Sequence, residues 1–170
     1  LRFGIIGASG IADRRTIPGL LLAENAELTA VMSRDPEVAE NLRQKYHAKY
    51  AFTTVEDLAS CPEIDAVYIG TPPVCHVEQA KICADHGKHI LIEKPLAMTA
   101  EEGQELVEYC EAKGVKMAAG FMMRFGAHAQ SMKKAIAEGK LGTVVSGYSQ
   151  FTLWLPYEPG NWRQIKAFSG

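Results

Sequence analysis

The 170-residue chain has few cysteines and no pairing pattern among them: Cys61, Cys75, Cys83 and Cys110 are scattered without a C-x-x-C pair. Such spacing argues against a disulfide framework or a zinc site and suits reduced thiols used for packing. No apolar run approaches the roughly 20 residues needed to cross a bilayer, so a membrane role is not expected. No block of Lys or Arg is present and the formal net charge is −2, which leaves no electrostatic footprint for a nucleic acid. The first strand opens at residue 2 with no room before it for a signal segment, and the expected location is cytoplasmic.

What the chain does have is the balance of a globular protein, 47% hydrophobic and 22% charged residues. Its opening run, Phe3-Gly4-Ile5-Ile6-Gly7-Ala8-Ser9-Gly10-Ile11-Ala12, joins a short apolar strand to a helix through a turn of small residues. Backbone N–H groups in such a turn can reach a pyrophosphate, and the following helix points its positive end there. Against the usual G-x-G-x-x-G only the first glycine is in place, with Ser9 and Ala12 at the second and third positions. Small-residue turns also serve plain strand-to-helix packing. Ile11 to Leu22 reads as a helix interrupted at Pro18, and Glu27 to Met32 as a second strand, completing the βαβ unit that a phosphate turn requires.

Dinucleotide folds read the adenosine ribose at the end of that second strand, with an acid for a free 2′-OH and a cation for a 2′-phosphate. Ser33 and Arg34 stand there, and a hydroxyl with a guanidinium favours NADP over NAD. Alternatively Ser33 caps the next helix and Arg34 is a solvated side chain, with Asp35 close by. Further strands are expected at Tyr50 to Phe52, Ile64 to Gly70, Lys88 to Ile92 and Lys116 to Phe121. Helices are expected at Glu37 to Tyr46, Thr54 to Ala59, Val74 to His86 and Ala100 to Lys113, the last burying Leu106, Val107 and Cys110. The glutamates of that helix make a solvated face, and no metal site is read from them.

Two short segments follow strands at the carboxyl edge, where open α/β sheets bind ligands. Thr71-Pro72-Pro73 turns the chain, with His76 in the first turn of the helix after it, and Glu93-Lys94-Pro95 halts the fifth strand with an ammonium on the rim. For Lys94 the competing reading is a surface lysine paired with Glu93. Two βαβαβ halves in the order 3-2-1-4-5-6 would close a dinucleotide-binding domain over residues 1–121. From Met122 the pattern shifts to a helix at His128 to Glu138, a turn framed by Gly139 and Gly142, and an alternating strand at Thr143 to Leu155. Residues 122–170 are therefore expected to begin a second α/β domain, too short to bury a sheet of its own.

Taken in order, Gly7 to Ala12, Ser33-Arg34, Thr71-Pro72-Pro73 with His76, Glu93-Lys94-Pro95, Gly120 with Arg124-Phe125, and Asn161-Trp162-Arg163 resemble the Gfo/Idh/MocA oxidoreductases. The resemblance implies a Rossmann doubly wound parallel sheet and a second α/β domain with an open, mostly antiparallel sheet that often forms a homo-oligomer interface. It implies NAD(P)-dependent oxidation or reduction of sugars and related polyols. By position it implies Gly7, Ser9, Gly10, Ile11 and Ala12 at the pyrophosphate, Ser33 and Arg34 at the 2′-phosphate, and Thr71, Pro72, Pro73 and His76 along the adenosine side and nicotinamide ribose. Glu93 and Lys94 would stand beside the nicotinamide, Gly120, Trp162 and Arg163 would complete the cofactor's surroundings, and Arg124 would face the substrate. Lys94 is the expected catalytic group. Pro73 departs from the family's usual Asn, and the downstream Asp-x-x-x-His segment is not among these residues. A non-catalytic dinucleotide-binding module, a redox sensor or scaffold, is the alternative reading.

Overall fold

The computed structural model describes residues 1–169, the side chains of Trp162 and Ser169 excepted. Six parallel strands form one sheet in the order β3-β2-β1-β4-β5-β6. They are β1 (Arg2–Ile6), β2 (Glu27–Met32), β3 (Tyr50–Phe52), β4 (Ala66–Ile69), β5 (His89–Ile92) and β6 (Met117–Ala119). The expected Rossmann order is thus observed, with β1 and β4 side by side where the order reverses and Gly4 opposite Val67 in register.

Both faces of the sheet are covered, which is why its central strands are apolar along their whole length. On one face Ile6, Met32, Val67, Ile69 and Ile92 pack against Leu58, Ala80, Cys83, Leu106 and Cys110. Those five come from α3 (Val55–Ser60), α4 (His76–Asp85) and α5 (Ala100–Ala112). On the other face Ile5, Leu28, Val31 and Tyr68 meet Ala12, Ile17 and Leu42. These belong to the segment after β1 and to α2 (Pro36–Tyr46). Leu106 and Cys110 are buried as expected, whereas Val107 is only half-buried.

The expected helix from Ile11 to Leu22 is shorter and irregular. A π-helical turn (Ala12–Thr16) runs into α1 (Ile17–Leu20), and the Ile17 N–H reaches back to the Ala12 carbonyl. Pro18, which has no N–H to give to the preceding turn, accounts for the break. Side-chain caps set the starts of α2, α3 and α5: Asp35 accepts from the Glu37 and Val38 N–H groups, Thr54 from Asp57 and Thr99 from Glu102. Lys88 is buried, its Nζ donating to the Cys61 and Ile64 carbonyls at 2.7 and 2.8 Å, which ties the α3 exit to the start of β5.

Beyond β6 the expectation of a strand at Thr143 to Leu155 is not met: those residues form no ladder and lie exposed. A strand exists only by pairing, and no neighbouring strand is at hand to satisfy its backbone. α6 (Ala127–Ala137) has no buried residue, while α7 (Lys166–Ser169) returns to pack beside Pro73–Cys75. Among the described residues no helix is long and apolar enough to cross a membrane.

Candidate cofactor site

The turn after β1 is built for close approach. Gly7 has φ +73°, and a Cβ there would stand 2.8 Å from Thr71 Cγ2 and 3.0 Å from the Thr71 nitrogen. Gly10 has φ +60° with nothing within 4 Å of an added Cβ. Both positions thus need glycine's left-handed backbone, one of them for want of space as well. Ala8, fully buried, gives its N–H to the Met32 carbonyl at 3.1 Å, which fastens the turn to the end of β2. Ser9 and Gly10 are exposed, and with Ile11 they donate their backbone N–H groups to no atom among the described residues. Such a row of free donors at the mouth of a parallel sheet fits a diphosphate. Ala12 does not contribute to it: its methyl is in the core and its N–H goes to the Ser9 carbonyl, so its role is to keep the turn tight.

At the end of β2 the choice between caps is resolved in favour of Asp35. Its carboxylate is spent on the α2 N-terminus, while Ser33 Oγ accepts the Asp35 N–H at 3.2 Å rather than capping the helix. Arg34 is exposed and forms no ion pair among the described residues. A free guanidinium with the adjacent acid turned away fits the phosphorylated ribose and offers nothing to repel it.

Across the β1/β4 junction, Thr71 and Pro72 are half-buried and Pro73 is buried at the start of a 3-10 turn (Pro73–Cys75). The Thr71 hydroxyl donates to Gln79 Oε1 at 2.6 Å, so it points inward. His76, expected along the ribose, is corrected to a place behind the rim. It is fully buried, with Nε2 2.9 Å from the Thr71 carbonyl and Nδ1 2.8 Å from that of Pro95. A neutral imidazole donates to one of those oxygens and only the doubly protonated ring to both.

The β5 end carries Glu93 and Lys94, and here too the structure selects among readings. Glu93 does not pair with the Lys94 ammonium. Its Oε1 accepts the Tyr68 hydroxyl at 2.9 Å and its Oε2 the Lys94 backbone N–H at 3.2 Å. Burial, first, and the Glu93 carboxylate push the Tyr68 phenol well above its ordinary range, so it stays a donor. Lys94 is exposed and in no ion pair among the described residues, and its bond to Pro95 is cis. Gly120 lies against this segment, an added Cβ being 3.3 Å from the Ile92 carbonyl and 3.5 Å from Glu93 Oε1.

Direct contacts therefore run without a gap along the sheet's carboxyl edge: β2 end to glycine turn, turn to Thr71, Thr71 through His76 to Pro95, Glu93 to Gly120. Of the more distant residues, Arg124 is exposed; its N–H donates to the Phe121 carbonyl and its own carbonyl accepts from Gln130 Nε2. Arg163 is exposed within the 3-10 turn (Trp162–Gln164) that leads into α7, and its N–H donates to Asn161 Oδ1. The side chain of Trp162 lies outside the described residues. Tyr68 and Gln79 were missed by the sequence reading. A hydroxyl in an otherwise apolar strand was the available signal for Tyr68, and nothing in the sequence marks Gln79.

Comparison with known proteins bears on the family and the fold. A family model described as an oxidoreductase family with an NAD-binding Rossmann fold matches residues 1–121. 1,5-Anhydro-D-fructose reductase of Ensifer adhaerens is 35% identical over 169 residues, 99% of this chain and 50% of that protein. The NADP(+) scyllo-inositol 2-dehydrogenase IolU of Bacillus subtilis (strain 168) is 36% identical over 155 residues, 89% and 46%. Among solved structures, KijD10, a 3-ketoreductase from Actinomadura kijaniata in complex with TDP-benzene and NADP, superimposes with a TM-score of 0.76 at 28% identity, covering 82% of this chain and 44% of that one. The chain spans about half the length of the curated relatives it matches.

Proposed function

Because this chain belongs to the Gfo/Idh/MocA oxidoreductase family, we propose that it is the cofactor-binding part of an enzyme moving a hydride between NADP(H) and a sugar, polyol or related carbonyl or alcohol. The observation that carries the reading is the free Arg34 guanidinium, its neighbouring carboxylate spent on a helix cap, on the same edge as the unpaired backbone donors of Ser9 to Ile11. The nicotinamide, when bound, supplies the hydride acceptor or donor. This chain's part is to hold the diphosphate on the glycine turn, select the 2′-phosphate with Ser33 and Arg34, and present Lys94 to the substrate oxygen. An unpaired ammonium on that rim polarises a carbonyl and donates a proton to the alkoxide that forms as hydride reaches the carbonyl carbon. In this reading residues 122–170 open a second α/β domain whose sheet shapes the substrate pocket and joins copies of the protein. NAD remains a possible second cofactor, at lower affinity.

Titration with NADPH and with NADH, read by energy transfer from the tryptophans, tests the cofactor assignment. Arg34→Ala is expected to weaken NADPH by about tenfold, the scale of one charge-assisted contact at an exposed site, and to leave NADH unchanged. Turnover of 1,5-anhydro-D-fructose, scyllo-inositol and D-xylose is then followed through NADPH absorbance in the protein at its full natural length, with and without Lys94→Met. Failure to bind either nucleotide ends the reading, and unchanged turnover in Lys94→Met removes Lys94 from the chemistry.

A further inference from the structure

The peptide that presents Lys94 is gripped at both ends by side chains that do not reach the surface. Before it, Tyr68 on β4, 2% exposed, donates its hydroxyl to Glu93 Oε1 at 2.9 Å, and Glu93 Oε2 takes the Lys94 N–H at 3.2 Å. After it, His76 at the start of α4, 0% exposed, has Nδ1 2.8 Å from the Pro95 carbonyl and Nε2 2.9 Å from that of Thr71, and a neutral ring donates to one of the two. Between the two anchors the Lys94 ammonium has no partner among the described residues, so nothing but its backbone sets the origin of its flexible stem. A buried hydroxyl and a buried imidazole are costly unless hydrogen-bonded, and here the hydroxyl donates to Glu93 and the imidazole lies within hydrogen-bond distance of the Pro95 carbonyl, the residues on either side of Lys94. The Tyr68 ring lies against Gly70, where an added Cβ would stand 2.7 Å from its Cε1.

We infer that Tyr68 and His76 are positioning residues that clamp the peptide on either side of Lys94 and so fix where its ammonium stands relative to the nicotinamide. The inference rests on the proposed role of Lys94 at that cofactor. It assigns neither residue a contact with the cofactor. A displacement of about 1 Å at a reacting group is enough to cost on the order of a hundredfold in rate, so loss of one anchor is expected to act on turnover more than on cofactor affinity.

The test uses the protein at its full natural length with its lysines reductively methylated by ¹³C-formaldehyde, the Lys94 signal being identified by its absence in Lys94→Arg. In the wild type, NADP⁺ is expected to shift the Lys94 resonance, because in the proposed reading an aromatic nicotinamide ring stands beside it. In Tyr68→Phe and in His76→Gln the NADPH dissociation constant is expected to stay within about threefold while the Lys94 response falls by about half or more, and kcat falls by about tenfold with KM for NADPH held. Tyr68→Phe removes one hydroxyl and keeps the ring, so it carries the test should His76→Gln fail to fold. An undiminished Lys94 response in Tyr68→Phe overturns the clamp and leaves the cofactor reading standing. A tenfold loss of NADPH affinity also overturns it, since the residues would then be holding cofactor. No Lys94 response in the wild type takes down the proposed role of Lys94 and the clamp with it.

Discussion

Replacing Gly7 and Gly10 by alanine, one at a time, separates strain from lack of space in the turn after β1. Both residues have φ in the left-handed region, +73° and +60°, where a Cβ costs roughly 1–2 kcal/mol. Alanine also reduces the freedom of the unfolded chain, which offsets about 0.5–1 kcal/mol in each case. For Gly10 nothing stands within 4 Å of the new methyl, so the net loss is about 1 kcal/mol. For Gly7 the methyl would lie 2.8 Å from Thr71 Cγ2, 3.0 Å from the Thr71 nitrogen and 3.1 Å from the Gly70 carbonyl carbon. Two of those three atoms are backbone and cannot turn aside, adding an overpacking cost of about 2 kcal/mol and a total near 3. The difference of about 2 kcal/mol corresponds to about 1 M in urea midpoint at a slope of about 2 kcal/mol/M. Affinity is expected to show the reverse contrast per unit of stability lost, because the Gly10 methyl is added, with nothing within 4 Å of it, to the segment that carries the free N–H groups. Equal destabilisation by the two substitutions, or a loss under about 1 kcal/mol for Gly7→Ala, would refute the argument that Thr71 closes the turn from behind.

Two further outcomes follow from burial and charge. Burial pushes the Cys83 thiol up to about 12, so it is expected to resist a disulfide reagent at mildly alkaline pH until the protein unfolds, with half-buried Cys75 reacting first. Rapid native-state labelling of Cys83, read by peptide mass, would contradict the packing of α4 on the sheet. The Arg2 side chain and backbone N–H hold the Asp65 carboxyl well below the usual carboxylate value of 3.8. A depressed folded-state value means that this stability is fully present above 3.8 and drains away as pH falls below it. Asp65→Asn is therefore expected to be less stable than the wild type at neutral pH and to converge on it in acid. Parallel denaturation curves from neutral pH down past 3.8 would show that the pair contributes nothing.

The sheet and its helices were readable in advance because each is encoded locally. Apolar runs such as Ala66–Ile69 permit only strands covered on both faces, and Asp35, Thr54 and Thr99 mark helix starts by their own side chains. The spacing of these elements was enough to imply the strand order, and with it the edge on which Ser9, Gly10, Arg34 and Lys94 gather. Which of two partners a polar group takes is another matter, for it depends on atoms far along the chain. Glu93 turns to Tyr68 rather than to Lys94, Asp35 rather than Ser33 caps α2, and His76 faces inward to two carbonyls. The strand pattern of Thr143 to Leu155 shows the same limit from the other side, since alternation prepares a strand and only a neighbour makes one. Local sequence determined the elements and their order because propensity, capping and hydrophobic period act within a few residues. Tertiary structure alone decided the hydrogen-bond partners of the rim, because buried polar groups are satisfied by whatever the fold brings within 3 Å or so, wherever it sits in the chain.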